Sequence, residues 1–521
     1  MTTATTGPIS IEKPQMFTGK LTSWAWQYRW AIVGSLLALY LIGFSFSWRP
    51  GGDSALHLCY ARDLLRSHTD GMRSALYQPL SPGMAWVLAA CMHLFGEGPN
   101  AIAAGLTIWL AIASITLLLV YQWFSLFCRR GEAVFLTASF GITETFYSHA
   151  YELLPDIPFA LGSILMLLGV ERLQQSLSND WCDATVWWQK KGVLRSVFEL
   201  CMGIVIMSIF RSVVIVFVSA VILTLFIKLV HYQKWRILIF TSIAIFVFTI
   251  SARWLALGVG PLSLHPDEKL VIDLITQTSP YDLLTRMWQN IQFLLTEAGP
   301  EGILGQDLGP IISIPIGLIL FMLGLRLFRR RLLWGILFCA FIVQWILVLP
   351  VDRYFIPITG LITLAIWDGL CWLESLTAQK HFKISTKWLT PAIVIIWLGC
   401  NLATDLKVFA SRFENHEQYR RNKYLGIPGL AADIHKYVDP AEAVLAPTWM
   451  NMELSWWSDR VVMNQLTATH FSYAILPLSD EGMLKMKQAK LIPIKELANH
   501  SGKRGRMYTL WLLAPEDHLN Q

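Results

Sequence analysis

From Pro99 to Cys128 the chain carries no charged side chain. A run of that length suits a lipid bilayer. About 20 apolar residues wound as a helix cover a hydrocarbon core of about 30 Å, with every backbone N–H and C=O satisfied inside the segment. The pattern recurs: charge-poor runs at about 30–47, 100–127, 132–149, 157–176, 196–210, 212–230, 237–256, 310–327, 332–350, 355–373 and 388–406 predict about 11 transmembrane helices. Only 15% of the residues are charged, against about a quarter in an ordinary soluble domain. The 23 tryptophans suit side chains that sit at membrane–water boundaries. The expected fold class is a polytopic α-helical membrane protein with interfacial helices and a small C-terminal α/β soluble domain.

One apolar stretch does not fit the series. Residues 80–95, LSPGMAWVLAACMHLF, follow Pro79, contain Pro82 and His93, and are short for a crossing. They suit an interfacial or re-entrant helix. Charge supports that reading, because Lys and Arg concentrate on cytoplasmic loops. With 80–95 left uncrossed, Arg129/Arg130, Lys190/Lys191, Lys234/Arg236, Arg329/Arg330/Arg331 and Lys380/Lys383/Lys387 all fall on the side of the N-terminus. The N-terminus is then expected in the cytoplasm and the C-terminus outside, in a multi-pass membrane protein. The net charge of +6 is spread between spans and does not indicate nucleic acid.

The outer face then receives 48–79, the turn 150–156, the loop 257–309 and 351–353. Within the long loop, Ser279 is a candidate helix cap with Pro280 at the first helical position. Leu284, Trp288, Ile291 and Leu295 share one face of that helix, which either lies on the membrane or packs into the protein. The expected domains are a cytoplasmic tail (1–29), a membrane catalytic domain (30–407) and an extracytoplasmic α/β domain (408–521). In the last, EAVLAP, RVVMN, YAILPL, KLIPI and MYTLWLLAP read as strands, and AADIHKYV, MNMELSWWS and EGMLKMKQ as helices. None of the eight cysteines follows residue 400 and no C-x-x-C pair occurs, so neither a structural zinc nor a redox motif is expected. No metal site is predicted. His57, His93 and His149 share the outer half without a trusted metal spacing and are read as ordinary hydrogen-bonded histidines.

The candidate chemistry sits at the outer ends of the runs. In WRPGGDSALHLCYARDLLRSH, two glycines precede Asp53, which either caps the helix that follows or presents a carboxylate at headgroup level. There it could meet a water-soluble acceptor and a lipid-borne donor together. Leu56, Tyr60, Leu64 and Leu65 are expected toward lipid or protein, with Arg62, Asp63 and Arg66 toward water. In YELLPDIPFA, Glu152 and Asp156 flank Pro155 at the mouth of a span, where Asp156 either caps the next helix or binds substrate. In VDRYFIPITG, Arg353 and Tyr354 either anchor the interface or grip a phosphate. Arg211 lies in MSIFRSVVIV with few obvious partners, and His265, Lys269 and Arg286 add possible outer cations. No G-x-S-x-G, Walker A, H-E-x-x-H or dinucleotide fingerprint occurs.

The outer-loop Gly-Asp, Tyr77-Gln78-Pro79-Leu80, YELLPDIPF and the Arg-Tyr-x-x-Pro of RYFIP follow one another over about 300 residues. In that order they resemble the GT-C class of polyprenyl-phosphate-dependent glycosyltransferases. The resemblance is greatest to the bacterial branch of protein O-mannosyltransferase-like, aminoarabinose transferase-like and RgtA/B/C/D-like enzymes. It implies inverting transfer of a single sugar from a polyprenyl-phosphate carrier to a lipid, glycan or protein acceptor on the outer face. It also implies that Asp53 accepts the acceptor's proton, that Asp156 with Glu152 helps bind substrate or, in some members, a metal, and that Arg353 and Tyr354 stand near the lipid phosphate. Aminoarabinose transferases carry an acid and a lysine just before the proline, where this chain has Tyr77 and Gln78. The missing cation would come from another residue, such as Arg211 or Lys269. The composition is also compatible with a transporter or lipid flippase, or with a non-catalytic scaffold, although the acids cluster at one face and no inverted repeat is evident.

Overall fold

A computed structural model describes residues 17–44, 52–67, 80–178, 191–211, 213–231, 235–257, 272–274, 276–304, 309–347, 352–378, 389–420, 427–447, 450–464, 471–478, 480–501 and 507–515. The chain divides into two compact units. One comprises Met1–Phe44, Ile108–Tyr151 and Pro155–Val408, the other Ser45–Thr107, Glu152–Leu154 and Phe409–Gln521.

Among the described residues, five helices are long and apolar enough to cross a membrane: Pro99–Phe124, Gly192–Phe210, Pro310–Arg330, Phe355–Ser375 and Leu389–Ala410. Shorter apolar helices cover Arg29–Gly43, Gly83–Phe95, Val214–Lys228, Ile239–Ser251 and Leu332–Leu347. The run at 132–149, expected as one span, is two helices, Arg130–Gly141 and Glu144–His149. The break has a local cause. The Thr143 hydroxyl donates to the Phe140 carbonyl at 2.7 Å, offering that acceptor a partner other than the helix ladder. The Glu144 N–H, freed from the first helix, donates to Asn401 Oδ1 at 3.1 Å. The run at 355–373 likewise opens on a 3₁₀ turn, Asp352–Ile358, containing Pro357, before the helix Thr359–Ala378 begins.

In the first unit, the helices Asp156–Ser178 and Lys191–Phe210 approach closely enough for glycine to be required. A Cβ on Gly169 would stand 2.5 Å from the Leu200 amide nitrogen, and one on Gly203 would stand 2.6 Å from that of Met166. Small residues let helix backbones touch where no hydrophobic effect drives association. Gly169→Leu is therefore expected to force the pair apart and destabilise the fold by more than the usual ~1–3 kcal/mol of overpacking, since backbone rather than a pliable side chain blocks the space. Thermal unfolding in detergent measures it.

Toward the opposite end of these two helices, and on Pro310–Arg330 and Thr359–Ala378, lies a belt of buried acids, each on arginine. Arg326 and Arg330 hold Asp368, Arg172 and Arg195 hold Glu199, and Arg331 Nε stands 3.5 Å from Glu171. Charges this deep persist only when paired. Glu171 is fifteen residues beyond Asp156 in the helix, a rise of about 22 Å at 1.5 Å per residue.

The helix Pro280–Phe293 has the expected Ser279 cap, whose hydroxyl accepts from the Asp282 N–H at 3.2 Å. Leu284 and Trp288 are exposed, while Asn290 is buried and donates to the Ile346 carbonyl. Its outward apolar face is the one a bilayer surface would cover.

In the second unit, the helix Gly52–Leu65 packs on Gly83–Phe95, which ends in exposed Leu94 and Phe95. The C-terminal segment forms a five-stranded sheet in the order β2-β1-β3-β5-β4, from β1 (Ala443–Ala446), β2 (Val461–Asn464), β3 (Tyr473–Leu476), β4 (Leu491–Ser501) and β5 (Met507–Pro515). β1 runs parallel to β2 and β3, and β5 runs antiparallel to β3 and β4. β1, with parallel neighbours on both sides, is buried throughout, as a parallel strand covered on both faces should be. Leu430, Ile434, Val444, Leu454, Val462, Ile475 and Leu510 make the core. All five strands coincide with the sequence reading, but β4 extends well past KLIPI. Pro493 and two register shifts break its alternation, which only an edge strand tolerates.

Candidate active site

Pro155 precedes the helix Asp156–Ser178, and its carbonyl accepts from the Phe159 N–H at 3.0 Å, so the first turn closes tightly with Asp156 at its start. Arg211 directly follows Phe210 at the end of the partner helix, and its N–H continues the ladder to Met207 O at 2.8 Å. The glycine crossing thus delivers the two residues to the same end. Arg211 Nη2 donates to Asp156 Oδ1 at 2.5 Å, with Asp156 buried and the guanidinium mostly so. Asp156 Oδ2 is also buried and has no hydrogen-bond partner among the described residues. The pair therefore offers an unused acceptor beside a cation, a combination able to meet a hydroxyl and an anionic oxygen.

The 3₁₀ turn carrying Arg353 and Tyr354 packs in the same unit against the Asp156 helix, with Ser163 Oγ donating to Pro357 O at 3.2 Å. Phe355 is buried and stacks on Trp345 at 4.0 Å between ring centroids. The side chains of Arg353 and Tyr354 lie outside the described set. Trp345 and Phe355 also line an apolar groove with Leu295, Gly317, Phe321 and Phe338, about 520 Å³ counting its open side.

In the second unit Asp53 is exposed in the first turn of Gly52–Leu65, where the positive end of the helix dipole favours a carboxylate. Glu152 belongs to this unit and is half-buried. One expectation for the Asp53 helix is overturned: Arg62 and Asp63, expected toward water, are buried, 5% and 1% exposed. Arg62 faces backbone carbonyls and an aromatic ring of the C-terminal fold instead. Hydrogen bonding to Glu97 raises the pKa of exposed Arg66. Tyr77, Gln78, His265 and Lys269 lie outside the described residues.

Sequence reasoning passed over Asp405, in the helix Leu389–Arg420, which is fully buried with neither carboxylate oxygen hydrogen-bonded among the described residues. An acid inside an apolar run was the signal that could have found it. Among the described residues, no group of three or more His, Cys, Asp or Glu that could hold a metal ion occurs.

No protein-family model matches the chain, and no curated protein matches it. Solved structures do. The chain is similar to ArnT from Cupriavidus metallidurans in the apo state, with 14% identity over 94% of this chain and 98% of that one, at a TM-score of 0.54. It is also similar to the same enzyme bound to undecaprenyl phosphate, with 13% identity over 93% and 98% and a TM-score of 0.50. A third is the archaeal oligosaccharyltransferase AglB from Archaeoglobus fulgidus in complex with an inhibitory peptide and a dolichol-phosphate, at 8% identity over 93% of this chain and 74% of that one, TM-score 0.50. The resemblance carried by the motifs thus extends to the fold, which this chain shares with ArnT and with AglB over nearly its whole length.

Proposed function

We propose that the protein is an inverting glycosyltransferase that moves a single sugar from a polyprenyl-phosphate carrier to a lipid, glycan or protein acceptor on the outer face of the membrane. The observation that carries this reading is the shared fold, over nearly the whole chain, with an enzyme whose structure holds undecaprenyl phosphate. The buried Asp156–Arg211 pair adds to it, on a helix that packs against the turn carrying Arg353, as does the apolar groove, which suits an isoprenoid tail. In this reading about 11 helices cross a bacterial inner membrane, the N-terminus is cytoplasmic and the arginine belt marks the cytoplasmic side.

The chemistry assigned to the residues is a single displacement. Asp53 takes the proton from the acceptor hydroxyl as its oxygen attacks the anomeric carbon. The bond from that carbon to the phosphate oxygen breaks on the opposite side, and the electron pair leaves with the lipid phosphate. Arg353 with Tyr354, and Arg211 or Lys269, stabilise the charge developing on that phosphate. Asp156 and Glu152 hold sugar or acceptor hydroxyls, and Tyr77 and Gln78 are assigned to substrate binding with them. No step is routed through a metal.

Mass spectrometry of outer-surface glycans and lipids from a deletion strain tests the reading. A species one sugar lighter, restored by the intact gene, is expected. An unchanged glycan profile together with a lost transport activity would favour a transporter instead.

A further inference from the structure

The geometry points to Arg62 as a positioning residue that fastens the Asp53 helix to the C-terminal α/β fold and so sets where the Asp53 carboxylate stands. The inference rests on the proposed role of Asp53 as general base. The contacts themselves do not depend on that role.

The last carbonyls of a helix have no partner within it. In Asn451–Ser458 two of these belong to Ser455 and Trp456. Arg62 Nη1 donates to Trp456 O at 2.7 Å and Nη2 to Ser455 O at 3.2 Å, so an arginine from elsewhere in the chain caps this helix at its negative end. The guanidinium lies 5.0 Å from the centre of the Trp456 ring, and its Nη2 stands 3.1 Å from Asp459 Oδ1. Asp459 holds the left-handed conformation that ends the helix, φ 55°, and its other oxygen takes Arg66 Nη1 at 2.6 Å. Arg66 Nε reaches Glu97 at 2.9 Å. The attachment continues into the sheet, because Ser455 Oγ donates to Val462 O and accepts from Val462 N, both at 3.0 Å. β2, the capped helix and the Asp53 helix are therefore joined by polar bonds that fix register as well as contact.

Polar fastening has a cost that an apolar seam would not. A buried arginine is worth retaining where it fixes one arrangement among several. Asp53 is nine residues before Arg62 in one helix, about 13 Å at 1.5 Å per residue, so a tilt at Arg62 displaces the carboxylate. Misplacement by about 1 Å costs a reaction up to ~10²-fold. Lysine cannot replace the fork: a single ammonium on a flexible stem does not span two carbonyls and a carboxylate in fixed geometry.

The test uses the full chain in nanodiscs and in the deletion strain. With Arg62→Lys, hydrogen exchange in peptides covering 52–65 should quicken about tenfold while β1 and β2 keep their protection, and the restored glycan should fall at least tenfold. Asp459→Asn keeps both carbonyl bonds and should show a smaller effect of the same kind. It carries the test alone if Arg62→Lys does not accumulate. Unchanged exchange at 52–65, or normal glycan despite quickened exchange, overturns the inference. Loss of protection throughout the sheet overturns it too, since Arg62 would then merely support folding. Asp53→Asn run in parallel separates the two claims. If it retains full product, the general-base reading fails, and if it loses product while Arg62→Lys does not, only the positioning role fails.

Discussion

Asp53→Asn is expected to leave the protein folded and in the membrane while lowering transfer by about 10²–10⁴-fold, the usual contribution of a general base. Asparagine matches aspartate in shape, and residue 53 is exposed, so no buried charge or cavity is disturbed. The loss of a carboxylate in the first helical turn costs only about 0.3–1 kcal/mol. What disappears is the ability to accept the hydroxyl's proton. Since Asp53 does not bind the donor in this scheme, KM for the lipid-linked sugar should hold while kcat falls. Initial rates in membranes, with the donor identified by the glycan comparison, measure it. A variant at full rate removes Asp53 from the reaction.

The largest effect on stability is expected at Arg211. Arg211→Met leaves Asp156 buried without the cation that now accepts its charge, and removing one partner of a buried pair typically costs about 3–5 kcal/mol. Replacing both, Arg211→Met with Asp156→Leu, should recover much of that loss, because a well-packed apolar pair needs no desolvation repaid. Activity separates the roles. The double variant should unfold near the wild-type temperature yet transfer no sugar, since both the unused carboxylate oxygen and the cation are gone. Restored activity along with restored stability would make the pair purely structural.

Much of this architecture is legible in sequence because it is written in local terms. Runs without charge specify helices for lipid, and short β-rich segments between turns specify β1, β2, β3 and β5 in the C-terminal sheet. Ser279-Pro280 foretells its helix by a cap and a fixed φ. The break at Ile142–Thr143 is not legible, since apolar periodicity passes straight through it and the deciding bonds include one to Asn401, far along the chain. Likewise, no periodicity in ARDLLRSH distinguishes an arginine facing water from one facing the carbonyls of residues 455 and 456. Arg211 and Asp156 are each conspicuous as charges beside apolar runs. Their pairing depends on three glycines, Gly162, Gly169 and Gly203, that read in sequence only as weak points in two helices.

The arginine belt has a consequence for how the chain is inserted. Five arginines, 172, 195, 326, 330 and 331, face three carboxylates, leaving a positive surplus distributed over helices that enter the bilayer at different stages of synthesis. Threading a polypeptide the wrong way round would drag that surplus through oil at roughly 3 kcal/mol per arginine, before any bridge has formed to neutralise it. In the proposed topology orientation is thereby specified redundantly, and no single charge reversal in the belt should suffice to turn the molecule over.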